Sequence, residues 1–217
     1  MGHCIGVINQ KGGSGKSSTA VALCYWLAFK QKRQTLLVDA DAQKSSSIWL
    51  SAIPEVIPHK VIGDVDSLIE QVDALLQEFE FVVIDGPGSL AEVTRAIVLV
   101  ADLAIVPCQP TGLDLESASD TVRLISQARQ IRKGMPQAVA FLSRAVKGTR
   151  LKQEAREVLS EMPGIKVLNT VIHQRQIIAD AAGQQATVWT TRDRTATDAA
   201  REYHNLFTEV LQCLENP

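Results

Sequence analysis

The chain has 217 residues, a formal net charge of −2 at pH 7, and 46% hydrophobic against 21% charged residues. This length fits one α/β domain over residues 1–217 with a sizeable core. The nearly balanced charge excludes nucleic-acid binding through global attraction, so any such binding needs a local basic patch. We expect neither a membrane span, which needs roughly 20 consecutive apolar residues, nor a signal peptide ahead of the first strand.

Strand-like apolar runs alternate with helical segments along the chain. Strands are predicted at 4–9, 34–39, 58–62, 81–85, 102–107, 138–143 and 166–172. Helices are predicted at 16–31, 43–51, 65–78, 90–100, 113–133, 149–161 and 193–214. Continuous apolar runs such as residues 81–84 are typical of parallel strands buried on both faces. The alternation predicts a doubly wound α/β fold, a mainly parallel sheet with helices on both faces.

The cysteines and histidines are scattered, and their spacing suits neither a zinc site nor a disulfide framework. Three of the four cysteines lie in apolar runs, which predicts buried, reduced thiols in a cytoplasm. The residues concerned are Cys4, Cys24, Cys108, Cys213, His3, His59, His173 and His204.

A glycine-rich loop, Asn-Gln-Lys-Gly-Gly-Ser-Gly-Lys-Ser-Ser at 9–18, joins the first predicted strand to the first helix. Its glycines allow the backbone N–H groups to turn onto an anion, next to the N-terminus of a helix. Lys16 adds a positive charge for β- and γ-phosphates, and the Ser17 hydroxyl can bind Mg²⁺. The alternative is a glycine-rich turn without a ligand, which this strand–loop–helix context disfavours.

Two irregularities distinguish this loop from the strict phosphate-binding pattern. Gln10 stands where the pattern has glycine, and Lys11 is a second lysine at the start of the loop. Lys11 cannot easily reach the phosphates of its own loop, which indicates a partner. The alternative for Lys11 is a solvated loop lysine.

Carboxylates follow two of the predicted strands. Asp39 and Asp41 leave the second strand on the same side, where open α/β sheets bind ligands. Asp39 could hold a Mg²⁺-bound water and Asp41 could orient an attacking water, although a turn or helix cap is the alternative for Asp41. Residues 81–84 followed by Asp85 form a Walker B pattern, in which Asp85 acts on Mg²⁺ through water. The loop of residues 86–88 is predicted to lie close to a γ-phosphate.

Residues 11–18, Asp39-x-Asp41-x-Gln43 and Asp85-Gly86 resemble the ParA/MinD family of deviant Walker A ATPases. The segments 101–107, 109–110 and 170–175 agree, so the resemblance covers nearly the whole chain. The chain starts at the phosphate loop and is expected to carry no DNA-reading domain before it. It is therefore similar to the short partition ATPases, which include relatives that position carboxysomes.

The resemblance implies ATP and Mg²⁺ as ligands and a role for each residue of the site. Lys11 would cross a dimer interface to the phosphates of the partner's ATP, and the homodimer would enclose two ATP molecules face to face. The implied catalytic residues are Lys11, Lys16 and Asp41, and the implied metal-supporting residues are Ser17, Asp39 and Asp85.

The chain departs from the family pattern at two places. Ala42 replaces the usual proline after the second aspartate, and Ser143 stands where relatives often carry an asparagine that reads adenine. Ser143 offers one hydroxyl in place of an amide, so specificity for ATP is implied by the family alone. The predicted nucleotide-binding residues are Gly12, Gly13, Ser14, Gly15, Lys16, Ser17, Ser18, Ser143 and Arg144.

Basic residues in the last third of the chain are candidates for non-specific DNA binding, which needs several lysines or arginines near phosphates. The resemblance favours Arg192, Arg194 and Arg201, near the start of the last helix. Solvated surface charge is the alternative for each of them. The other candidates are Arg144, Lys147, Arg150, Lys152, Arg156 and Arg175.

The function that the resemblance implies is ATP-driven positioning in the cytoplasm, on the nucleoid. An ATP dimer would bind DNA non-specifically and be released when a ParB-like or carboxysome-type adaptor stimulates its weak ATPase activity, segregating plasmid or protein cargo.

A MinD-like membrane ATPase for division-site placement is the main alternative function. It would need a basic amphipathic helix, whereas the apolar stripe of the last helix is flanked by glutamates. We expect that stripe to pack on the sheet and expect no membrane partner. Its residues are Tyr203, Leu206, Phe207, Val210 and Leu214. Nitrogenase-reductase-like or cobyrinate-synthase-like enzymes form a third class, disfavoured by the absence of a second metal-binding cysteine near Cys108 and by chain length.

Overall fold

The computed structural model describes residues 2–89 and 92–215. Its strands are β1 His3–Val7, β2 Thr35–Asp39, β3 His59–Val61, β4 Phe81–Asp85, β5 Leu103–Cys108, β6 Gln137–Leu142 and β7 Lys166–Val167. Its helices are α1 Lys16–Tyr25, α2 Ser45–Ala52, α3 Val65–Glu78, α4 Glu92–Val100, α5 Gly112–Ile131, α6 Leu151–Glu161, α7 Gln176–Asp180 and α8 Arg194–Glu215.

All seven strands run parallel in one sheet, in the order β3-β2-β4-β1-β5-β6-β7. Because β1 lies inside the sheet, the chain first adds strands on one side of it and then on the other. This reversal of direction is the mark of a doubly wound fold and places a crevice beside the carboxyl end of β1. The predicted fold class is confirmed.

Alternate residues of the strands feed two apolar cores, one on each face of the sheet. Ile5 and Val7 of β1 pack with α1, α2 and α8, whereas Cys4 packs on the other face with α3, α4, α5 and α6. The central strands are buried on both faces, which explains why their sequences are continuously apolar. All four cysteines are buried free thiols, as the apolar runs predict.

The last helix, α8, packs its apolar stripe against the sheet. Leu206, Phe207 and Val210 are fully buried and belong to the same core as α1. The predicted packing of this stripe is therefore confirmed. None of the helices among residues 2–89 and 92–215 is long and apolar enough to cross a membrane.

The predicted strand at 166–172 is wrong beyond its first two residues. Glu209 of α8 accepts the backbone N–H groups of Asn169 at 2.6 Å and Thr170 at 2.9 Å. A side chain has thus taken hydrogen bonds that a continuing strand would give to its neighbour. The chain rejoins the sheet edge at Ile172, whose N–H donates to the carbonyl of Leu142.

One helix boundary and one additional helix also differ from the sequence prediction. The first helix was expected to run to residue 31, but α1 ends at Tyr25 and continues as a π-helical turn, Trp26–Lys30, with the N–H of Gln31 on the carbonyl of Trp26. Helix α7 was not predicted, because five residues are too few to show a helical period. Of the predicted helix at 90–100, the first two positions lie outside the described residues.

Replacing Phe207 with alanine tests the packing of α8. The buried ring leaves a cavity, so we expect the free energy of unfolding to fall by about 3–5 kcal/mol in urea denaturation. Asn205→Ala, at an exposed position of the same helix, should change it by no more than about 0.5 kcal/mol. Equal effects of the two substitutions would contradict the packing described here.

Candidate functional site

The order of the strands brings the predicted motifs together. Strand β4 lies between β2 and β1, and the register places Asp85 beside Asp39 on one side and beside Val7 on the other. The glycine loop leaves β1 directly after Val7 and leads into α1. The loop and both strand-end carboxylates therefore meet at the edge where doubly wound sheets bind ligands.

The loop has a conformation that its glycines permit. Gly13 and Gly15 have φ angles of 77° and 99°, in the left-handed region that residues with side chains rarely adopt. Helix α1 begins immediately afterwards at Lys16, and the N–H groups of a first helical turn have no intrahelical acceptor. Together with the positive end of the helix dipole, these groups form an anion site.

Asn9 fixes the start of the loop to the neighbouring elements. Its side-chain amide donates to the carbonyl of Pro107 at 2.8 Å. Its Oδ1 accepts the backbone N–H of Lys11 at 3.0 Å and the hydroxyl of Ser117 at 2.7 Å. This fully buried side chain therefore joins the loop to β5 and α5.

Three further side chains hold carbonyl groups of the loop. Gln109 Nε2 and Arg144 Nη1 both donate to the carbonyl of Gly13, at 2.8 and 2.9 Å. Ser143 Oγ donates to the carbonyl of Ser14 at 2.7 Å. Ser143 and Arg144 thus lie where the sequence places them, but they contact the loop itself, and the single hydroxyl proton of Ser143 is already used.

Lys16 lies buried beneath the loop. Its Nζ donates to the carbonyl of Lys11 at 3.0 Å, and its side chain faces the carboxylates of Asp85 and Asp41. Burial lowers the pKa of Lys16, and the two carboxylates partly oppose this effect. The loop after β4 lies close by, since a Cβ on Gly88 would be 3.6 Å from Lys16 Nζ. The ammonium group is therefore prepared for an anion in the crevice.

Lys11 points elsewhere. Its Nζ forms an ion pair of 2.5 Å with Asp114 at the start of α5, and the hydroxyl of Thr111 donates to the same carboxylate oxygen. The side chain of Asp114 is 1% exposed and that of Lys11 is 35% exposed. The second lysine of the loop is thus held by its own chain at the surface, outside the crevice.

Asp85 is a buried carboxylate whose burial is compensated only in part by its neighbours. It is fully buried, and neither oxygen has a hydrogen-bond partner among the described residues. Burial raises its pKa from 3.8 to about 7, although the hydroxyls of Ser17 and Ser46 lie near enough to act in the opposite direction. Carboxylates and hydroxyls are the oxygen donors that a hydrated Mg²⁺ takes in proteins. The residues present therefore fit a magnesium site.

The other two carboxylates shape the segment after β2. Asp39 accepts the N–H of Asp41 at 3.1 Å and the N–H of Ser47 at 2.8 Å, so it fixes both the turn and the start of α2. Asp41 accepts the N–H of Gln43 at 3.0 Å, the turn-forming bond that is the simpler explanation for this residue. Asp41 nevertheless lines the crevice opposite the loop.

The crevice is a cavity of about 490 Å³, a size typical of small-molecule sites. Its lining includes the glycine loop with Lys16 and Ser17, and also Trp49, Ile178 and residues 172–176. This combination of polar and apolar groups suits a ligand that carries both phosphates and a flat ring.

The wall formed by residues 172–176 is attached to α8 through Glu202. This carboxylate accepts the N–H and Nδ1–H of His173 at 3.0 and 2.8 Å and forms a bidentate ion pair with Arg175. Burial raises the pKa of Glu202, but the bonds from Arg175 and His173 outweigh it and leave this pKa lowered. Arg175, which the sequence offers as a candidate for DNA contact, therefore uses its guanidinium group in an ion pair with Glu202.

The three arginines favoured for DNA contact are exposed around the start of α8. Arg194 is the first residue of α8. Arg201 Nη1 lies 3.7 Å from Oδ1 of Asp198, a residue three positions earlier in the same helix. Arg192 precedes Asp193, whose carboxylate accepts the N–H of Thr195 at 2.6 Å and caps the helix. The surface therefore carries acidic groups among its arginines.

Several residues of the site were not found from the sequence. Asn9, Gln109 and Asp114 hold the loop or its lysine, and Ser46 faces Asp85. A signal existed for Asp114 alone, because Thr-x-x-Asp at 111–114 is typical of a helix N-terminus. Nothing in the spacing of the others indicates that they reach the loop.

A parallel strand, a glycine loop and a helix N-terminus, with a buried strand-end aspartate alongside, define a P-loop nucleotide-binding protein. Residues 5–188 match the family model of the CobQ/CobB/MinD/ParA nucleotide binding domain. The chain therefore belongs to this family, as a nucleotide-binding ATPase of the ParA/MinD kind.

Two known relatives match nearly the whole chain. The maintenance of carboxysome distribution protein A of Halothiobacillus neapolitanus is 25% identical over 213 residues, covering 95% of each chain. The chromosome-partitioning ATPase Soj of Thermus thermophilus is 27% identical, covering 95% of this chain and 94% of its own.

Solved structures of McdA from Cyanothece share the fold. Apo McdA superposes with a TM-score of 0.81 at 15% identity, covering 97% of this chain and 100% of its own. An ATP complex of a variant of Cyanothece McdA superposes with a TM-score of 0.77 at 16% identity, covering 99% of this chain and 96% of its own.

Asp85→Asn tests the burial of this carboxylate through the pH dependence of stability. Since the folded-state pKa is about 7 and the unfolded value 3.8, the folded form is favoured at low pH and loses stability as pH rises through 7. Without nucleotide and divalent metal, the asparagine variant should be more stable than the wild type at pH 8, by on the order of 4 kcal/mol.

The difference should shrink as the pH falls toward 4, measured by urea denaturation in EDTA. A difference that stays constant over this range would show that Asp85 does not titrate as its burial requires. Asp73→Asn, an exposed carboxylate of α3, is the matched control and should show no such trend.

Proposed function

We propose that the crevice binds ATP with Mg²⁺ and that the loaded protein works as a positioning ATPase. The observation that carries this proposal is the division of labour between the two lysines of one loop. Lys16 is buried at the crevice, whereas Lys11 does not line it and is held at the surface on Asp114. A second lysine placed in this way is available to another chain.

Within one chain, the loop residues would bind the phosphates. The backbone N–H groups of residues 12–17 and the Nζ of Lys16 would hold the β- and γ-phosphates. Ser17, Asp39 and Asp85 would hold Mg²⁺, which when bound neutralises negative charge on the phosphate oxygens. Asp41 would orient the attacking water with the carboxylate oxygen that does not accept from Gln43.

The base would lie at the other end of the crevice. Trp49 and Ile178 offer apolar contact there, and the exposed amides of Gln174 and Gln176 are the nearest polar side chains of that wall. Ser143 and Arg144 would act on the nucleotide through the loop, because their donors are used on loop carbonyls.

Two loaded chains would form a homodimer in which each Lys11 leaves Asp114 and reaches the phosphates of the partner's ATP. The family supports this role, and the exposure of Lys11 makes it sterically accessible. The ammonium group would stay paired, but the buried Asp114 carboxylate would lose its ion pair, so binding of the partner's phosphates has to offset that cost.

The dimer would bind DNA non-specifically through Arg192, Arg194 and Arg201 and be released after an adaptor stimulates hydrolysis. The relatives named for carboxysome distribution and chromosome partitioning support a cargo of this general kind. The protein would then be bound to the nucleoid in the cytoplasm and would work with a ParB-like or carboxysome-type adaptor. The membrane alternative receives no support, because the stripe it needs is buried.

Substituting each lysine separately tests the division of labour. Lys16→Ala should weaken ATP binding by roughly 10- to 100-fold, since a charged hydrogen-bond donor is lost. Lys11→Ala should bind ATP as the wild type does but stay monomeric with ATP and Mg²⁺. Calorimetry measures the first effect and light scattering the second.

Asp41→Ala serves as the opposite control, because loss of the hydrolytic residue should hold the ATP dimer together. A normal ATP dimer of Lys11→Ala would remove the proposed role across the interface. Unchanged ATP affinity of Lys16→Ala would argue against the crevice as the phosphate site.

DNA binding should depend on the nucleotide. We expect binding with ATP and little binding with ADP or without nucleotide, measured by fluorescence anisotropy at several salt concentrations. Replacing both Arg194 and Arg201 with alanine should lower the slope of log affinity against log salt by about two, or about one for each phosphate contact. Arg123→Ala, an exposed arginine of α5, should leave it unchanged.

Equal DNA binding in all three nucleotide states would refute the switch. An unchanged salt slope in the double variant would place the DNA surface elsewhere on the chain.

A further inference from the structure

Ser46 has a buried hydroxyl that makes no hydrogen bond of ordinary geometry and has the Asp85 carboxylate as its polar neighbour. It is the second residue of α2, it is fully buried, and its Oγ has no partner among residues 2–89 and 92–215. Buried polar atoms in folded proteins nearly always have partners, so each exception calls for an explanation. The sequence pattern does not explain this serine.

Other helical serines of this chain donate their hydroxyl to a carbonyl of the preceding turn. Ser51 on the same helix donates to the carbonyl of Ser47 at 2.9 Å, and Ser126 of α5 donates likewise to Val122. Such bonds to the preceding turn satisfy a hydroxyl locally. Ser46 forms no bond of this kind, so its hydroxyl is left for something outside the helix.

Ser46 faces the Asp85 carboxylate. Neither oxygen of that carboxylate has a hydrogen-bond partner in the described part of the chain. The hydroxyl of Ser17, the first residue after Lys16, faces the same carboxylate. Next to Ser46, the N–H of Ser47 holds Asp39, which pairs in register with Asp85. Unpartnered buried oxygens of α2 and β4 thus lie together, with the Ser17 hydroxyl of α1 beside them.

A group that brings several donors at once would satisfy both oxygens of Asp85 together with the hydroxyl of Ser46. A hydrated divalent cation does so, because its waters donate to carboxylates and hydroxyls around it. A single ordered water is the other occupant of suitable chemistry, and it would not depend on a metal.

We propose that Ser46 is a positioning residue of the magnesium site, where its hydroxyl holds a water of the metal's hydration shell together with Asp85. This inference rests on the proposed ATP and Mg²⁺ site and adds a residue from α2 to it. Through Ser46 the metal also fixes the first turn of α2, directly after Asp41.

The test is a Mg²⁺ titration of the full chain with saturating AMPPNP, followed by the melting temperature. Ser46→Ala and Ser46→Cys should require roughly three- to tenfold more Mg²⁺ for the half-maximal rise, the loss that one hydrogen bond produces. Cysteine nearly keeps the shape of the side chain, but its thiol is only a weak hydrogen-bond partner for a water. Ser51→Ala is the matched control and should titrate like the wild type.

A metal-free arm separates this role from a structural one. With EDTA present, AMPPNP should bind Ser46→Ala and the wild type equally. Equal weakening with and without metal, or a wild-type Mg²⁺ titration in both Ser46 variants, would overturn the inference. A wild type whose melting temperature ignores Mg²⁺ would instead refute the proposed metal site, and this inference with it.

A double-mutant cycle with Asp85→Asn completes the test. If Ser46 and Asp85 hold the same water, Ser46→Ala should add little to the Mg²⁺ requirement of Asp85→Asn. Fully additive shifts would show that the two side chains act independently and would contradict the shared water.

Discussion

A carboxylate that is buried at the centre of a parallel sheet, with no hydrogen-bond partner among the described residues, is the constraint on which the rest of this site depends. Asp85 stands where β4 ends between β2 and β1, so the fold cannot withdraw it from the crevice without breaking the register with Val7 and Asp39. Burial raises the pKa of Asp85. A cation bound beside the carboxylate would lower this pKa again, so the charge of Asp85 depends on whether a cation is bound in the crevice.

Around this carboxylate, side chains divide into those that face the ligand and those that hold the loop. Asn9, Gln109 and Arg144 use their donors on the loop and its anchors. Gln109 and Arg144 hold the carbonyl of Gly13, whereas Asn9 accepts the N–H of Lys11, so the loop backbone is fixed at both of these residues. The glycine loop therefore owes its shape to residues from β5, α5 and the segment after β6 as much as to its own glycines.

The features that short stretches of sequence encode, the buried strands and the phosphate-binding loop, could be predicted from the sequence. Continuous apolar runs showed the parallel strands, and the loop at 9–18 showed where a nucleotide-binding site would form. Long-range contacts could not be predicted in this way. The strand expected at 166–172 stops because Glu209 competes for its backbone, and Ser143 is committed to Ser14, 129 residues away in the chain. Nothing in the neighbourhood of either residue reveals its partner, since both contacts exist only after the helices have packed.

The attachment of the crevice wall to α8 through Glu202 has a consequence for the order in which the molecule is assembled. The phosphate loop and Asp85 are encoded in the first 85 residues, but the wall at 172–176 receives its ion pair and hydrogen bonds from residue 202. Because a chain emerges from the ribosome starting at its N-terminus, the loop and the residues up to Arg144 that hold it can assemble before the opposite wall is held in place. A nascent chain thus gains its phosphate site first and closes the far side of its crevice only once α8 has emerged.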